Sequence, residues 1–249
     1  MLRFEIKEYL WGISRSQTSG TTEAEARLLS NIIRNVRPGL DEGSRSILDI
    51  PSGYGRHHDI LRREGFDVFG IDLEPEFIKK AIRLYPKFKE SYVVGDMRRI
   101  PSDSESYDVV VNFSSSFGYF DDVGNIQTIR EFSRVLRKDG ILIIHTFNGV
   151  ALSNRLQRFW FEELGNGVYK LSENSFVHNF WEMNDMILEY KEGRLQIVAK
   201  DKFRLRLYQR EELEDICKSE GLCLVKCFSG NSTGDLEEID LSMLLVFRK

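Results

Sequence analysis

The sequence predicts an α/β protein with a doubly wound, mostly parallel seven-stranded sheet and an inserted antiparallel β-sheet. From Ser46 to Phe147, short apolar segments alternate with amphipathic segments. This order is typical of parallel strands joined by helices that cover both faces of a sheet. Between Gly165 and Tyr208, apolar and polar residues instead alternate in steps of two, which indicates antiparallel strands.

The first part of the chain predicts helices and strands in strict alternation. Thr21 precedes apolar residues at helical spacing that continue to Ile33, and a threonine at that place can cap the helix. The following Pro38 and Gly39 end this helix. The predicted strands are 46–50, 67–71, 91–94, 107–113 and 140–147, and the helices between them are 56–64, 75–84 and 122–136.

The last part of the chain returns to the main sheet. A helix over 209–220 ends at Gly221, and the final strands are 222–228 and 241–247. We therefore divide the chain into an N-terminal helical or lid segment (1–44), a core (45–164 and 209–249) and the inserted sheet (165–208). The inserted sheet offers a possible face for a homodimer.

Composition and charge exclude several kinds of partner. The 249 residues carry 35 basic and 39 acidic side chains, so no excess positive field favours nucleic acid. No run of about 18 apolar residues predicts a membrane span, and the N-terminus does not resemble a signal peptide. Cys217, Cys223 and Cys227 have no second cluster with which to form a zinc site. We expect a cytoplasmic protein with buried thiols and no metal.

Acidic residues follow three neighbouring predicted strands. Asp49 ends the first strand, and the glycines of the segment Gly53-Tyr54-Gly55 let the backbone turn sharply beside a ligand. Asp72 ends the second strand, where a carboxylate can accept hydrogen bonds from both hydroxyls of a ribose. Because the carboxyl ends of parallel strands form the ligand crevice, these groups predict a nucleotide-like cofactor.

Two details distinguish between an adenosyl and a nicotinamide cofactor. A dinucleotide site requires a third glycine where this chain has His58, and the bulk of histidine opposes close packing of the helix. Asp96 and Met97 follow the third strand, and an acid beside an apolar side chain suits the amine and the face of adenine. An NAD-dependent oxidoreductase stays open as an alternative.

Four segments in this order resemble the motifs of class I, Rossmann-like methyltransferases that use S-adenosylmethionine: Leu48-Asp-Ile-Pro-Ser-Gly-Tyr-Gly, Gly70-Ile-Asp-Leu, Gly95-Asp-Met-Arg and Leu136-Arg-Lys-Asp-Gly-Ile-Leu. The resemblance implies that the glycine turn lies against the methionine part, Asp49 orients the amino group, Asp72 binds ribose, and Asp96 with Met97 flanks adenine. The implied cofactor-binding residues are Asp49, Ser52, Gly53, Tyr54, Gly55, Asp72, Leu73, Asp96, Met97, Asn112 and Phe113. Pro51 stands where the family has its first glycine, so the amide of residue 51 cannot donate.

The loop after the fourth strand is the expected acceptor site. Ser115, Phe117 and Tyr119 lie in a polar and aromatic stretch at the same sheet edge as the acids. This loop, the inserted sheet and the stretch that begins at Arg206 are similar to small-molecule methyltransferases, including amino-sugar N-methyltransferases. The chain lacks the Asn/Asp-Pro-Pro-aromatic motif and the Pro-Cys pair of enzymes that methylate DNA bases. We therefore expect a small-molecule acceptor.

The resemblance implies methyl transfer by in-line displacement to N or O. The sulfonium makes the methyl electrophilic, so the protein holds the acceptor atom about 3 Å away and in line. A hydroxyl acceptor benefits from a base, for which His145 and Tyr119 are candidates. Residues 4–18 provide a possible lid over the cofactor. A protein that binds S-adenosylmethionine for regulation or assembly, without catalysis, is the other alternative.

Overall fold

The computed structural model describes residues 19–37, 45–230 and 232–249. The helices in these ranges are α1 (Ser19–Val36), α2 (His58–Arg63), α3 (Pro75–Leu84), α4 (Asp122–Val135), α5 (Gly149–Arg155) and α6 (Arg210–Ser219), with a 3₁₀ turn at Pro86–Ser91. The strands are β1 (Ser46–Asp49), β2 (Asp67–Asp72), β3 (Tyr92–Val94), β4 (Tyr107–Asn112), β5 (Leu136–Phe147), β6 (Phe159–Gly165), β7 (Val168–Val177), β8 (Phe180–Lys191), β9 (Arg194–Arg206), β10 (Cys223–Ser229) and β11 (Ser242–Arg248).

The main sheet has seven strands in the order β10-β11-β5-β4-β1-β2-β3. The pairs among β1 to β5 are parallel, whereas β11 runs antiparallel to both β5 and β10. This arrangement confirms the predicted fold class. The strand order reverses beside β1, and in such sheets a ligand binds at that point, beyond the carboxyl ends of the strands.

Consecutive residues of the central strands pack on opposite faces of the main sheet. Leu48 belongs to a core that includes Ile129 and Phe132 of α4, whereas Ile47 belongs to a core that includes Leu29 and Ile32 of α1. All six side chains are at most 1% exposed. The near-continuous apolar sequence of these strands thus reflects burial on both faces, as expected for parallel sheets.

The inserted sheet has four strands in the order β6-β7-β8-β9, all antiparallel. The sequence shows five alternating segments in this region (168–171, 175–181, 186–190, 195–199 and 202–208), whereas the structure has the three strands β7, β8 and β9 there. Lys170 of β7 and Asp185 of β8 form a buried ion pair at 2.8 Å. The sheet also begins at Phe159, before the range 165–208 that the sequence assigns to it.

Several predicted boundaries need correction. Helix α1 includes Ser19 and Thr21, so Thr21 lies within the helix and does not cap it. Strand β5 begins at Leu136, where the sequence predicts the end of a helix. Of the three thiols, Cys217 is buried, whereas Cys223 is exposed on β10, contrary to the expectation that all are buried. The possible lid over 4–18 and the stop at Pro38–Gly39 lie outside the described residues.

Asp108 fastens the amino-terminal edge of the main sheet. Its carboxylate accepts hydrogen bonds from the backbone amide of Ser46 at 3.1 Å and from the Ser46 hydroxyl at 2.8 Å. Arg37, just after α1, lies 2.9 Å from one Asp108 oxygen, and Arg137 of β5 lies 2.8 Å from the other. One buried carboxylate therefore links β4 to β1, α1 and β5.

In the described part of the chain, no helix is both long enough and apolar enough to cross a bilayer.

We predict that Asp108→Ala lowers the free energy of unfolding by about 3 kcal/mol, because it leaves charged and polar partners without their acceptor. Chemical denaturation followed by circular dichroism measures the change. Asp103→Ala is the matched control, because Asp103 is an exposed acid five positions away on the loop before β4. Equal stability of the two variants would contradict the prediction.

Candidate cofactor site

Asp72 joins the end of β2 to the turn that follows β1. One carboxylate oxygen accepts the amide of Gly53 at 2.8 Å, and the other accepts the amide of Glu74 at 2.9 Å. Asp72 is 7% exposed, and this burial raises its pKa to about 6, although the two backbone hydrogen bonds act in the opposite direction. The carboxylate is thus held in one orientation beside the glycine turn.

The glycine turn presents backbone and open space above Asp72. Gly53 has a φ of +55°, and a Cβ added there would meet no atom within 4 Å. The amide of Ser52 donates to the carbonyl of Ile71, which fixes the turn against β2. Tyr54 points away from the turn, because its ring lies in a buried cluster with Phe77 of α3. Only the backbone of Tyr54 can line a ligand site here.

Exposed apolar side chains follow Asp72 along the same edge. Leu73 is 61% exposed and Val94, at the end of β3, is 47% exposed. Asp96 pairs with Arg98 at 2.6 Å, which lowers the pKa of Asp96 below its usual range. Met97 is 8% exposed and packs in the main core, so Leu73 and Val94 offer more apolar surface to a flat ring than Met97 does.

The remaining residues that the sequence assigns to the cofactor lie deeper. Asp49 is 7% exposed at the end of β1. Asn112 is fully buried, and its amide donates to the carbonyl of Ile50 at 2.8 Å, which ties β4 to the end of β1. Phe113 is 3% exposed and packs in the core on the α1 side. The side chains of Asn112 and Phe113 therefore support the site from below and offer almost no surface to a ligand.

Family comparison identifies the chemistry of this edge. The methyltransferase domain family matches residues 48–144, which begin within β1 and end within β5. Residues 48–144 form a methyltransferase domain whose cofactor is S-adenosylmethionine. The finding decides in favour of the adenosyl cofactor. An ionisable carboxylate, an open glycine turn and exposed apolar side chains occupy one edge of the domain.

Solved methyltransferases share the fold over nearly the whole chain. A methyltransferase from Clostridium acetobutylicum has a TM-score of 0.75 at 16% identity and covers 94% of this chain and 93% of that chain. An amino pentose methyltransferase from Micromonospora echinaspora, solved with S-adenosylmethionine bound, has a TM-score of 0.74 at 18% identity. That match covers 100% of this chain and 99% of the other.

Curated relatives match over different lengths. An uncharacterized protein of Methanocaldococcus jannaschii is 25% identical over 230 residues, which are 92% of this chain and 80% of that protein. The glycine/sarcosine N-methyltransferase of Aphanothece halophytica is 31% identical over 112 residues, or 43% of this chain. The match spans only 42% of that relative.

The loop after β4 lies beside the cofactor edge of the methyltransferase. Tyr119 is 44% exposed, and its hydroxyl hydrogen-bonds Ser116. Burial of this hydroxyl, with a further contribution from the charge of Asp72, raises the pKa of Tyr119 to about 12 although the Ser116 bond lowers it. Phe117 is fully buried against Tyr208, so it supports the loop from the core and does not line its surface.

Ser115 and His145 are joined through their backbones, since the Ser115 amide donates to the His145 carbonyl at 2.9 Å. Ser115 has a φ of +57° and is partly exposed. The His145 side chain is 6% exposed, neither of its ring nitrogens has a hydrogen-bond partner in the described part of the chain, and burial lowers its pKa to about 4. His145 is therefore neutral near pH 7 and a weak base.

The inserted sheet reaches the acceptor loop through aromatic contacts that the sequence assignments missed. The ring of Phe203 on β9 meets Tyr119 edge to face at 5.5 Å. Trp181 on β8 lies 6.3 Å from Phe203, and Phe147 at the end of β5 lies 5.4 Å from Trp181. These three residues alternate with polar residues in the sequence, but only the tertiary fold shows which strand end meets the loop.

A second group that the sequence did not identify links α1 to the glycine turn. Glu25 of α1 accepts a hydrogen bond from His57 at 3.0 Å and pairs with Arg56 directly after the turn. Arg56 also donates to the Ser114 hydroxyl at 3.0 Å. Glu25 and His57 are both less than 10% exposed. This contact fixes the amino-terminal helix against the cofactor edge.

We predict that S-adenosylhomocysteine binds the methyltransferase more weakly below pH 6. Ribose hydroxyls donate to an ionised Asp72, and a pKa of about 6 means that protonation removes this acceptor as the pH falls. Affinity at pH 5 should be about tenfold lower than at pH 8. Calorimetric titrations across this range measure the effect.

Asp72→Asn is the control for this pH dependence. It should bind weakly at every pH without the step near pH 6, because an amide does not titrate in this range. A wild-type affinity that stays constant from pH 5 to pH 8 would show that Asp72 does not contact the ligand as a carboxylate.

Proposed function

We propose that the chain transfers the methyl group of S-adenosylmethionine to the nitrogen of a small-molecule amine by in-line displacement. The relatives support this class of acceptor: one is a glycine/sarcosine N-methyltransferase, and a structural neighbour is a sugar N-methyltransferase from Streptoalloteichus with a TM-score of 0.73. The observation that carries the proposal is that the loop after β4, with Tyr119, follows a strand end at the same sheet edge as Asp72, whose charge helps to raise the pKa of Tyr119. This arrangement brings a polar aromatic wall to the cofactor edge.

The proposed placement of the cofactor follows the strand ends. Asp72 accepts the ribose hydroxyls, and the turn at Gly53 and Gly55 lies against the methionine part. Asp49 accepts the cofactor's ammonium group. The adenine ring lies against Leu73, with Asp96 accepting its exocyclic amine. Arg98 donates to the two Asp96 oxygens through its backbone amide and two guanidinium nitrogens. A carboxylate has about four lone-pair sites, so about one site remains for this amine.

The acceptor lies beyond Tyr119, between the loop and the inserted sheet. Tyr119 and Phe203 form its aromatic side, and the Tyr119 hydroxyl orients the acceptor. When bound, the cofactor supplies an electrophilic methyl group. The protein's contribution is to hold the acceptor nitrogen in line with that group and to exclude water from it.

The choice of nitrogen over oxygen rests on the available bases. A hydroxyl acceptor needs a base in the transition state, and the two candidates are unsuited to this task. His145 has a pKa lowered to about 4, which makes it a weak base, and Tyr119 has a pKa raised to about 12, which keeps it protonated. An amine attacks in its neutral form and needs no protein base.

The proposal is tested by incubating the enzyme with S-adenosylmethionine and paired acceptors that differ only in an amino or a hydroxyl group. Amino sugars and small amino acids form the first set. We expect S-adenosylhomocysteine to form with amines and not with the matched alcohols. Asp72→Ala should abolish the reaction because it loses the ribose acceptor. Turnover with alcohols alone would refute nitrogen methylation.

Tyr119→Phe separates acceptor binding from cofactor binding. Loss of one hydrogen-bonding hydroxyl should lower kcat/KM for the amine about fivefold while the Kd of S-adenosylhomocysteine stays unchanged. Tyr85→Phe is the control and should leave both values unchanged, because Tyr85 follows the carboxyl end of α3, away from the Tyr119 loop. Equal kcat/KM for wild type and Tyr119→Phe would remove Tyr119 from the acceptor site.

We further propose that two copies of the chain associate through the outer face of the inserted sheet. Strand register places several apolar side chains on this face, opposite to the face that carries Trp181 and Phe203. Five of them are more than half exposed: Phe159, Phe161, Tyr190, Leu195 and Ile197. A contiguous apolar patch of this kind marks an interaction site, and a self-complementary patch suits a twofold dimer.

Phe161→Glu combined with Ile197→Glu should convert a dimer into a monomer, because charges would be buried across the interface. Light scattering after size-exclusion chromatography measures the mass. Leu84→Glu is the control, since Leu84 is 51% exposed at the end of α3, which packs beside β2 and β3 of the main sheet. A monomeric wild-type chain would contradict this proposal without affecting the proposed reaction.

A further inference from the structure

His58 lies fully buried directly beneath the glycine turn, at the first residue of α2. Its Nε2 atom is 2.9 Å from an oxygen of Asp49, and its Nδ1 atom is 3.1 Å from the hydroxyl of Tyr92. Both ring nitrogens are therefore hydrogen-bonded. Arg62 completes the chain of contacts, because its guanidinium donates to the Tyr92 hydroxyl at 3.1 Å.

Arg62 and Asp49, at the two ends of this series of hydrogen bonds, determine the direction of each bond. Arg62 can only donate, so the Tyr92 oxygen accepts from it and the Tyr92 hydroxyl proton is directed to Nδ1 of His58. The Asp49 carboxylate can only accept, so His58 donates from Nε2. Burial lowers the pKa of His58, which keeps the ring neutral and compatible with this single tautomer.

The ring of His58 is also locked by packing. It stacks on Tyr92 at a centroid distance of 5.3 Å with the planes only 9° apart. A Cβ added at Gly55 would lie 2.9 Å from Nδ1 of His58, and one added at Gly70 would lie 2.8 Å from the ring carbon Cε1. The turn after β1 and the middle of β2 thus close on the imidazole, which cannot rotate without moving both.

We propose that His58 is a positioning residue for the ammonium group of S-adenosylmethionine, acting by holding the Asp49 carboxylate in a fixed orientation while Tyr92 sets the donor nitrogen. Among the described residues, His58 is the recorded hydrogen-bond partner of the Asp49 side chain. A neutral donor leaves the negative charge of Asp49 intact for a cation. The inference rests on the proposed placement of the ammonium group at Asp49.

The reason for a histidine at this position follows from the same geometry. The side chain must fill the space beside Gly55 and Gly70. It must also place a hydrogen-bond donor next to the Asp49 carboxylate at the end of β1. Glutamine can place an amide nitrogen near the position of Nε2, whereas leucine fills part of the volume without a donor. These two residues therefore separate the packing of His58 from its hydrogen bond.

The test compares two ligands that differ in the amino-acid part. S-adenosylhomocysteine carries the ammonium group, whereas 5′-methylthioadenosine keeps the adenosine and the sulfur and lacks the amino acid. Calorimetric titration gives the Kd of both ligands for wild type, His58→Gln, His58→Leu, Tyr92→Phe and Asp49→Asn. Thermal unfolding of each variant shows whether it is folded.

We expect His58→Leu to weaken S-adenosylhomocysteine about tenfold and 5′-methylthioadenosine less than twofold, with most of the loss recovered in His58→Gln. Tyr92→Phe, which keeps the ring stack, should show a smaller loss of the same selectivity and serves if His58→Leu fails to fold. Equal weakening of both ligands, or no change in either, would overturn the role of His58.

Asp49→Asn distinguishes this inference from the proposal on which it depends. If Asp49→Asn loses affinity for S-adenosylhomocysteine alone and the His58 variants do not, the placement of the ammonium group stands and the role of His58 fails. If Asp49→Asn leaves both affinities unchanged, the placement itself fails.

Discussion

The bond between Asp72 and the Gly53 amide is the contact on which the cofactor edge depends. It connects the end of β2 to the turn after β1, and the second oxygen of the same carboxylate holds the Glu74 amide at the start of α3. Burial of this carboxylate is costly, because it raises the pKa of Asp72 from 3.8 to about 6 although the two backbone hydrogen bonds lower it. This shift corresponds to a destabilisation of about 3 kcal/mol above pH 6, which disappears below the unfolded-state pKa of about 4. In the proposed cofactor placement, hydroxyl donors from the ribose would stabilise the ionised form.

The helices on the two faces of the main sheet make different kinds of contact near this edge. On one face, α4 and α6 pack mainly through apolar side chains, and the buried Glu131 of α4 accepts the backbone amide of Ile100. On the other face, α1 combines its apolar stripe with the buried pairing of Glu25, Arg56 and His57 at the turn. A buried charge with its partners in place resists movement strongly, since removing one partner leaves the other uncompensated. The amino-terminal helix therefore fixes the position of the turn as well as covering the sheet.

Sequence patterns predicted the main sheet well because both faces of its strands are buried, which leaves long apolar segments bounded by turns. They also located Asp49, Asp72 and Asp96 at strand ends, since chain order alone places those ends along one edge.

Sequence patterns could not show that Tyr54 and Phe117 turn into the core, because an aromatic residue in a loop looks the same whether it faces a ligand or a helix. They divided the range 168–208 into five short segments where the structure has three long strands, because the pairing of a polar residue such as Asp185 with Lys170 depends on strand register. The interpretation of His58 was incomplete for a related reason: its bulk was taken as an argument against a dinucleotide, whereas its contact with Asp49 arises only when α2 folds back on β1.

The inserted sheet shows how one element can serve two purposes. Residues of β8 and β9 alternate between its faces, and a bulge in β9 opposite Ile187 and Leu188 shifts that alternation by one residue. Because of this shift, Phe203 and Leu205 lie on the same face as Trp181, which is directed to the main domain. Leu195 and Ile197 lie on the opposite face, together with Leu188 and Tyr190. Without the bulge, the alternation along β9 would place one of these two groups on the wrong side. A single extra residue thus allows the same strand to approach the acceptor loop at its end and to expose an apolar surface at its start. Contacts between two copies at that surface would stiffen the strands that carry Phe203, so association and acceptor binding would be mechanically linked through β9.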